Sequence, residues 1–136
     1  MEHTGEVGFP TADRSRQIVL AVALLRLAVG AVSTVQPTAL PRGLGIDSAT
    51  AARATFITQM FASREIAIAL GTSYAVVRGR SPQPWLLASA LSDGADAVTL
   101  ITAARQGRVA KLGAYAAAAG AVAAVGASLW AATRRP

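Results

Sequence analysis

The chain contains no cysteine, which excludes disulfides, thiol redox chemistry and thiolate metal sites in one step. Its single histidine is His3, in a polar N-terminal stretch, so no imidazole falls within an apolar segment. Aromatic residues make up only 5% and charged residues 15%, against roughly 25% charged in an ordinary soluble domain. Lysine is reduced to Lys111; the remaining basic residues are arginines, a usage that, with the abundant alanine, fits a GC-rich bacterial genome. No nucleophile, metal-ligand spacing or nucleotide-binding motif stands out. The expectation is a protein without enzymatic activity and without a cofactor.

What is present is apolar. Hydrophobic residues are 53% of the 136, the mean hydropathy is +0.44, and the content is mostly Ala, Val, Leu and Ile. That length holds one domain. The net charge of +6 does not imply nucleic acid: Arg26 and Arg64 sit inside apolar runs, and the other basic residues fall in ones and twos at segment ends rather than in one stripe. Basic residues in such places contact lipid headgroups and set orientation.

Four apolar runs follow one another along the chain. Residues 1–17 are polar and mixed in charge and read as a tail. The first run, 18–35, is interrupted only by Arg26 and is stopped by Gln36-Pro37. A cleaved signal peptide is the rival reading here, with Arg14 and Arg16 ahead of the run and Ala31-Val32-Ser33 as the cleavage site. Arg26 in the middle of the run argues against it. A loop over 37–46 carries Pro41, Gly43 and Gly45 as breakers, and Asp47 or Ser48 is placed to cap the next helix.

The second span is 56–77, preceded by a weakly apolar, interfacial helical stretch from Ala49 to Thr55 with Arg53. Arg78-Gly79-Arg80-Ser81-Pro82 connects it to the third span, 85–104, where Trp85 suits the headgroup level. The fourth span, 112–132, is followed by a basic tail, 133–136. Its Gly113, Gly120 and Gly126 are expected to let helix backbones approach closely. Each run fits the length of about 17–25 residues that spans a bilayer. A soluble four-helix bundle would need a charged outer face every three to four residues, and the fourth run has no charge at all. The expected fold is therefore all-α: a four-helix transmembrane bundle over 18–132, multi-pass in the cell (plasma) membrane.

Five ionisable residues interrupt the spans near their centres: Arg26, Arg64, Glu65, Asp93 and Asp96. A charge at the bilayer centre costs about 2.5–3.5 kcal/mol on insertion scales, so these must face inward and find partners. Asp93 and Asp96 are three residues apart and share a helix face with Ser89, Ser92 and Thr99, opposite Leu87, Leu91, Val98 and Ile101. Arg64 and Glu65 diverge by about 100° around their helix. The economical arrangement places the second span between the first and third, with Glu65 meeting Arg26 and Arg64 meeting the aspartates. On that arrangement, removing Arg64 is more damaging than neutralising either aspartate. Two positive charges then face three negative ones, and a proton or a further cation restores balance.

The order Arg26, Pro37, a Leu-Gly loop, Phe61-Ala62-Ser63-Arg64-Glu65 with Leu70-Gly71, and Asp93-Gly94-Ala95-Asp96 resembles a family of small bacterial four-helix membrane proteins. That family is catalogued as domain of unknown function 4267, and its layout is similar to DoxX-like proteins. The resemblance covers about residues 17–130 and implies a four-helix membrane fold with no established activity. DoxX-like proteins are associated with membrane redox partners, for which this chain has neither cysteine nor a histidine within the spans.

Two functions remain open. One is a scaffold or accessory module whose polar core is structural and whose partners are the lipid bilayer, a second copy or other membrane proteins. The other is a small proton- or cation-coupled transporter, working as a dimer through its carboxylates. The even number of spans puts both termini on one side. Six basic residues on that side against five on the other give little orientation bias.

Overall fold

The four apolar runs form four long helices, and the connection after the first contains two short ones. The computed structural model describes residues 11–133; His3 and the last part of the C-terminal tail lie outside the described residues. The elements are α1 (Thr11–Val35), α2 (Ala39–Gly43), α3 (Ser48–Arg53), α4 (Thr55–Val77), α5 (Gln83–Arg105) and α6 (Lys111–Thr133). No strand occurs among the described residues. Three helices are long and apolar enough to cross a membrane: Arg14–Val35, Gln83–Arg105 and Lys111–Thr133. Helix α4 is as long as α5 and α6, 23 residues each, and carries the adjacent Arg64 and Glu65 near its centre.

Several boundaries differ from the sequence reading. Helix α1 begins at Thr11 rather than 18, because the helix continues through the polar residues 11–17. The expected loop over 37–46 contains α2, with Pro41 in its first turn, where a missing amide costs no intrahelical bond. Asp47 is the N-cap of α3, its carboxylate accepting from the N–H groups of Ala49 and Thr50 at 3.0 Å each. The chain breaks at Ala54 before α4 starts.

Glycine stops two of the long helices. At the end of α4, Gly79 has φ +64; its N–H bonds the Val76 carbonyl at 3.2 Å and the Arg80 N–H bonds that of Ala75 at 2.8 Å. At the end of α5, Gly107 (φ +69) and Arg108 repeat the pattern against Ala104 and Ala103. These left-handed residues satisfy the last carbonyls of each helix.

Packing is uneven. Helix α1 lies along α4 and α5 along α6, while the α4–α5 and α1–α6 seams are much slighter. The α1–α4 approach is close at Gly30, where an added Cβ would stand 2.7 Å from Ile66 Cγ1 and 3.0 Å from the Ala62 carbonyl oxygen. Between α4 and α5, the Trp85 ring lies directly over Gly71, where any Cβ would collide with it. Trp85 is thus a packing residue at this seam as well as a half-exposed ring at the helix end. Of the three glycines expected to pack α6, only Gly113 does so, against the Gly43 carbonyl; Gly120 and Gly126 are exposed with nothing within 4 Å.

The distribution of side chains is inverted relative to a water-soluble domain. The buried apolar residues are mostly alanines, among them Ala62, Ala69, Ala97, Ala114 and Ala118. Large apolar side chains point outward instead: Leu25 is 66% exposed, Leu91 78% and Leu112 86%. The interior holds Arg26, Glu65, Asp93, Ser89, Thr72 and Ser128. Buried polar groups together with an exposed apolar surface are the informative departures from the usual rule.

Candidate functional site

All five ionisable residues read from the sequence meet in one network. Arg26, on α1 and only 7% exposed, reaches across the interior. Its Nη1 donates to Glu65 Oε2 of α4 at 2.6 Å, and its Nη2 donates to Asp93 Oδ2 of α5. Arg64 donates from Nη2 to Asp96 Oδ2 at 2.6 Å and from Nη1 to Asp96 Oδ1 at 3.3 Å. The same Nη2 lies 3.3 Å from Glu65 Oε1, which links the two arginine pairs into one chain of contacts. Such charge-assisted, partly bidentate bonds are the strong class.

The arrangement follows from helix geometry, with one correction. The sequence reading sent both aspartates to Arg64; in the structure Asp93 goes to Arg26 and Asp96 to Arg64. Residues three apart share a face but are still offset by about 60°. That offset turns Asp93 toward the interior and leaves Asp96 on the α4 side. Arg26, not Arg64, is accordingly the hub: it is buried and bridges three helices, whereas the Arg64 and Asp96 side chains are 35% and 31% exposed. Arg64 also lies over the Phe61 ring, 5.0 Å from its centroid.

Hydroxyl groups extend the network. Ser89 Oγ lies 3.5 Å from Asp93 Oδ2 and 3.1 Å from Ser128 Oγ, which brings α6 into contact with the charged core. Ser128 was not singled out from sequence, because a lone serine in an alanine-rich run carries no signal. Thr99, expected on the polar face, is instead exposed and donates to its own helix at the Ala95 carbonyl, 2.8 Å away. At the α4–α5 seam, Arg64 Nε and Ser92 Oγ are buried without a protein partner.

Chemically, the network holds two guanidiniums and three carboxylates, a formal charge of +2 − 3 = −1. Every carboxylate faces a guanidinium, and no group of three His, Cys, Asp or Glu among the described residues is arranged to hold a metal ion. The arrangement can cross-link helices through ion pairs, and it can accept one further positive charge. Compared with family profiles, curated proteins and solved structures, the chain matches none.

Proposed function

We propose that this chain is a multi-pass protein of the cell membrane, a four-helix transmembrane bundle acting as a scaffold or accessory module whose ion-pair network is structural. The membrane part of the reading rests on the inverted side-chain distribution, with leucines outside and charges inside. The scaffold part rests on one observation: Arg26 binds both Glu65 of α4, the helix it packs along, and Asp93 of α5, a helix that α1 otherwise barely touches. A network placed there fixes helix register, the best-attested use of buried ion pairs. A place in the family of domain of unknown function 4267 is part of the same proposal; it would carry the four-helix architecture and no activity. Partners on this reading are lipid, a second copy, or other membrane proteins.

A second reading, a dimeric proton- or cation-coupled transporter, is favoured by the formal charge of −1 and by the third of the Arg64–Asp96 pair left exposed. Ion flux in proteoliposomes separates the two. The scaffold reading expects proton and sodium flux no greater than in empty vesicles, with Asp93→Asn/Asp96→Asn still folded. Flux in the parent chain that the double variant loses would replace it with the transporter reading.

A further inference from the structure

The connection between α1 and α4 and the connection between α5 and α6 are fastened to one another. The Ala110 N–H donates to the Leu44 carbonyl at 2.8 Å. Three residues on, Gly113 lies so close to Gly43 that an added Cβ would stand 2.6 Å from its carbonyl oxygen. This double contact joins the segment carrying Arg42 of α2 to the one carrying Arg108 and Lys111, with Arg53 and Arg105 ending the adjoining helices. All five side chains are exposed. The one carboxylate of these two connections, Asp47, caps α3, and a single negative charge leaves the five cations in excess. Beside the cations stand two apolar side chains, Leu40 at 41% exposed and Leu112 at 86%.

We infer that this fastened cap is a binding site for the headgroup of an anionic phospholipid, with Arg42, Arg108 and Lys111 on the phosphate and Leu40 and Leu112 against the acyl chains. The inference rests on the membrane reading above and adds a lipid class and a place. Each basic residue near an anionic headgroup strengthens attraction by about fivefold, the equivalent of ~1 kcal/mol. Holding three of them on two joined segments removes part of the ordering cost that separate loops would carry. The basic residues at the other end differ: Arg78 and Arg80 lie over the Tyr74 ring, at 5.6 and 5.9 Å from its centroid.

The test titrates the purified full chain in detergent with dioleoylphosphatidylglycerol, dioleoylphosphatidylcholine or inorganic phosphate, and follows thermal unfolding. Only the phosphatidylglycerol should raise the unfolding temperature. Its half-saturating concentration should rise about 25-fold in Arg108→Gln/Lys111→Gln and change little in Arg78→Gln/Arg80→Gln. Equal protection by phosphatidylcholine, full protection by phosphate alone, or equal losses in the two double variants would overturn the site. Flotation with phosphatidylcholine vesicles is measured in parallel. A chain that does not float overturns the membrane reading and the site together, whereas one that floats without responding to phosphatidylglycerol overturns the site alone.

Discussion

Replacing Arg26 with methionine keeps most of the side-chain volume and removes the positive charge. Glu65 and Asp93, at 5% and 7% exposure, then lose their shared partner, and the network's formal charge moves from −1 to −2. Breaking a buried pair from one side typically costs about 3–5 kcal/mol, because it strands the opposite charge. That is a large share of the roughly 5–15 kcal/mol that holds a domain together. Asp93→Asn acts in the other direction: it takes the formal charge from −1 to 0, leaves an oxygen for Arg26, and should cost under about 1 kcal/mol. Arg64→Met falls between, nearer the ~1 kcal/mol of an exposed pair, since Arg64 is a third exposed and Glu65 keeps Arg26. Neutralising the whole buried half (Arg26→Met/Glu65→Gln/Asp93→Asn) should recover most of the loss, as uncharged replacements of buried networks often do. Thermal unfolding of the purified variants in one detergent, followed by circular dichroism, gives the order. An Arg26→Met protein as stable as the parent, or an Asp93→Asn protein less stable than Arg26→Met, would refute the reasoning.

Two further outcomes are expected. Gly71→Ala drives a methyl group into the Trp85 ring and should cost about 1–3 kcal/mol in thermal unfolding; adding Trp85→Leu should restore much of it, and an unchanged Gly71→Ala protein would show that the seam yields freely. Asp47 is held below its ordinary value of 3.8, chiefly by its side-chain hydrogen bond with Thr50. Its folded value is depressed, so its support of α3 is present above that ordinary value and is lost as pH falls through the lowered one. Protection of the Ala51 amide should therefore weaken at low pH in the parent and lose that dependence in Asp47→Asn, and identical profiles would count against the cap.

Much of this was legible in the residues, and the gaps have physical causes. Apolar runs between Pro37, Gly79 and Gly107 located the long helices, because a run of that length without polar relief has few alternatives. The five central charges announced themselves by cost, and the 100° divergence of Arg64 and Glu65 correctly sent them to different neighbours. Which aspartate met which arginine was not legible, since periodicity gives a face and not the helix opposite it. The same limit hid Trp85 over Gly71, where a ring suited to a headgroup also fills the gap a glycine leaves. Gly120 and Gly126 misled in the opposite sense: small residues permit close approach, but nothing in one helix says that a neighbour takes the opportunity.

The uneven helix pairing also bears on the order in which the chain is made. At the centres of its helices the first pair, α1 with α4, holds Arg26, Arg64 and Glu65, a formal excess of +1; the centres of the second, α5 with α6, hold Asp93 and Asp96, a deficit of −2. Synthesis proceeds from the N-terminus, so in a membrane the first pair is complete while its counterweight is still on the ribosome. Arg26 and Glu65 neutralise each other within that pair at once, and only Arg64, the more exposed arginine, waits for a carboxylate from the second half. The second pair has no cation of its own within its helices' centres and depends on the first already being in place. Each half is thereby matched to the other by charge as well as by shape, and a chain interrupted after α4 would hold the better-balanced half.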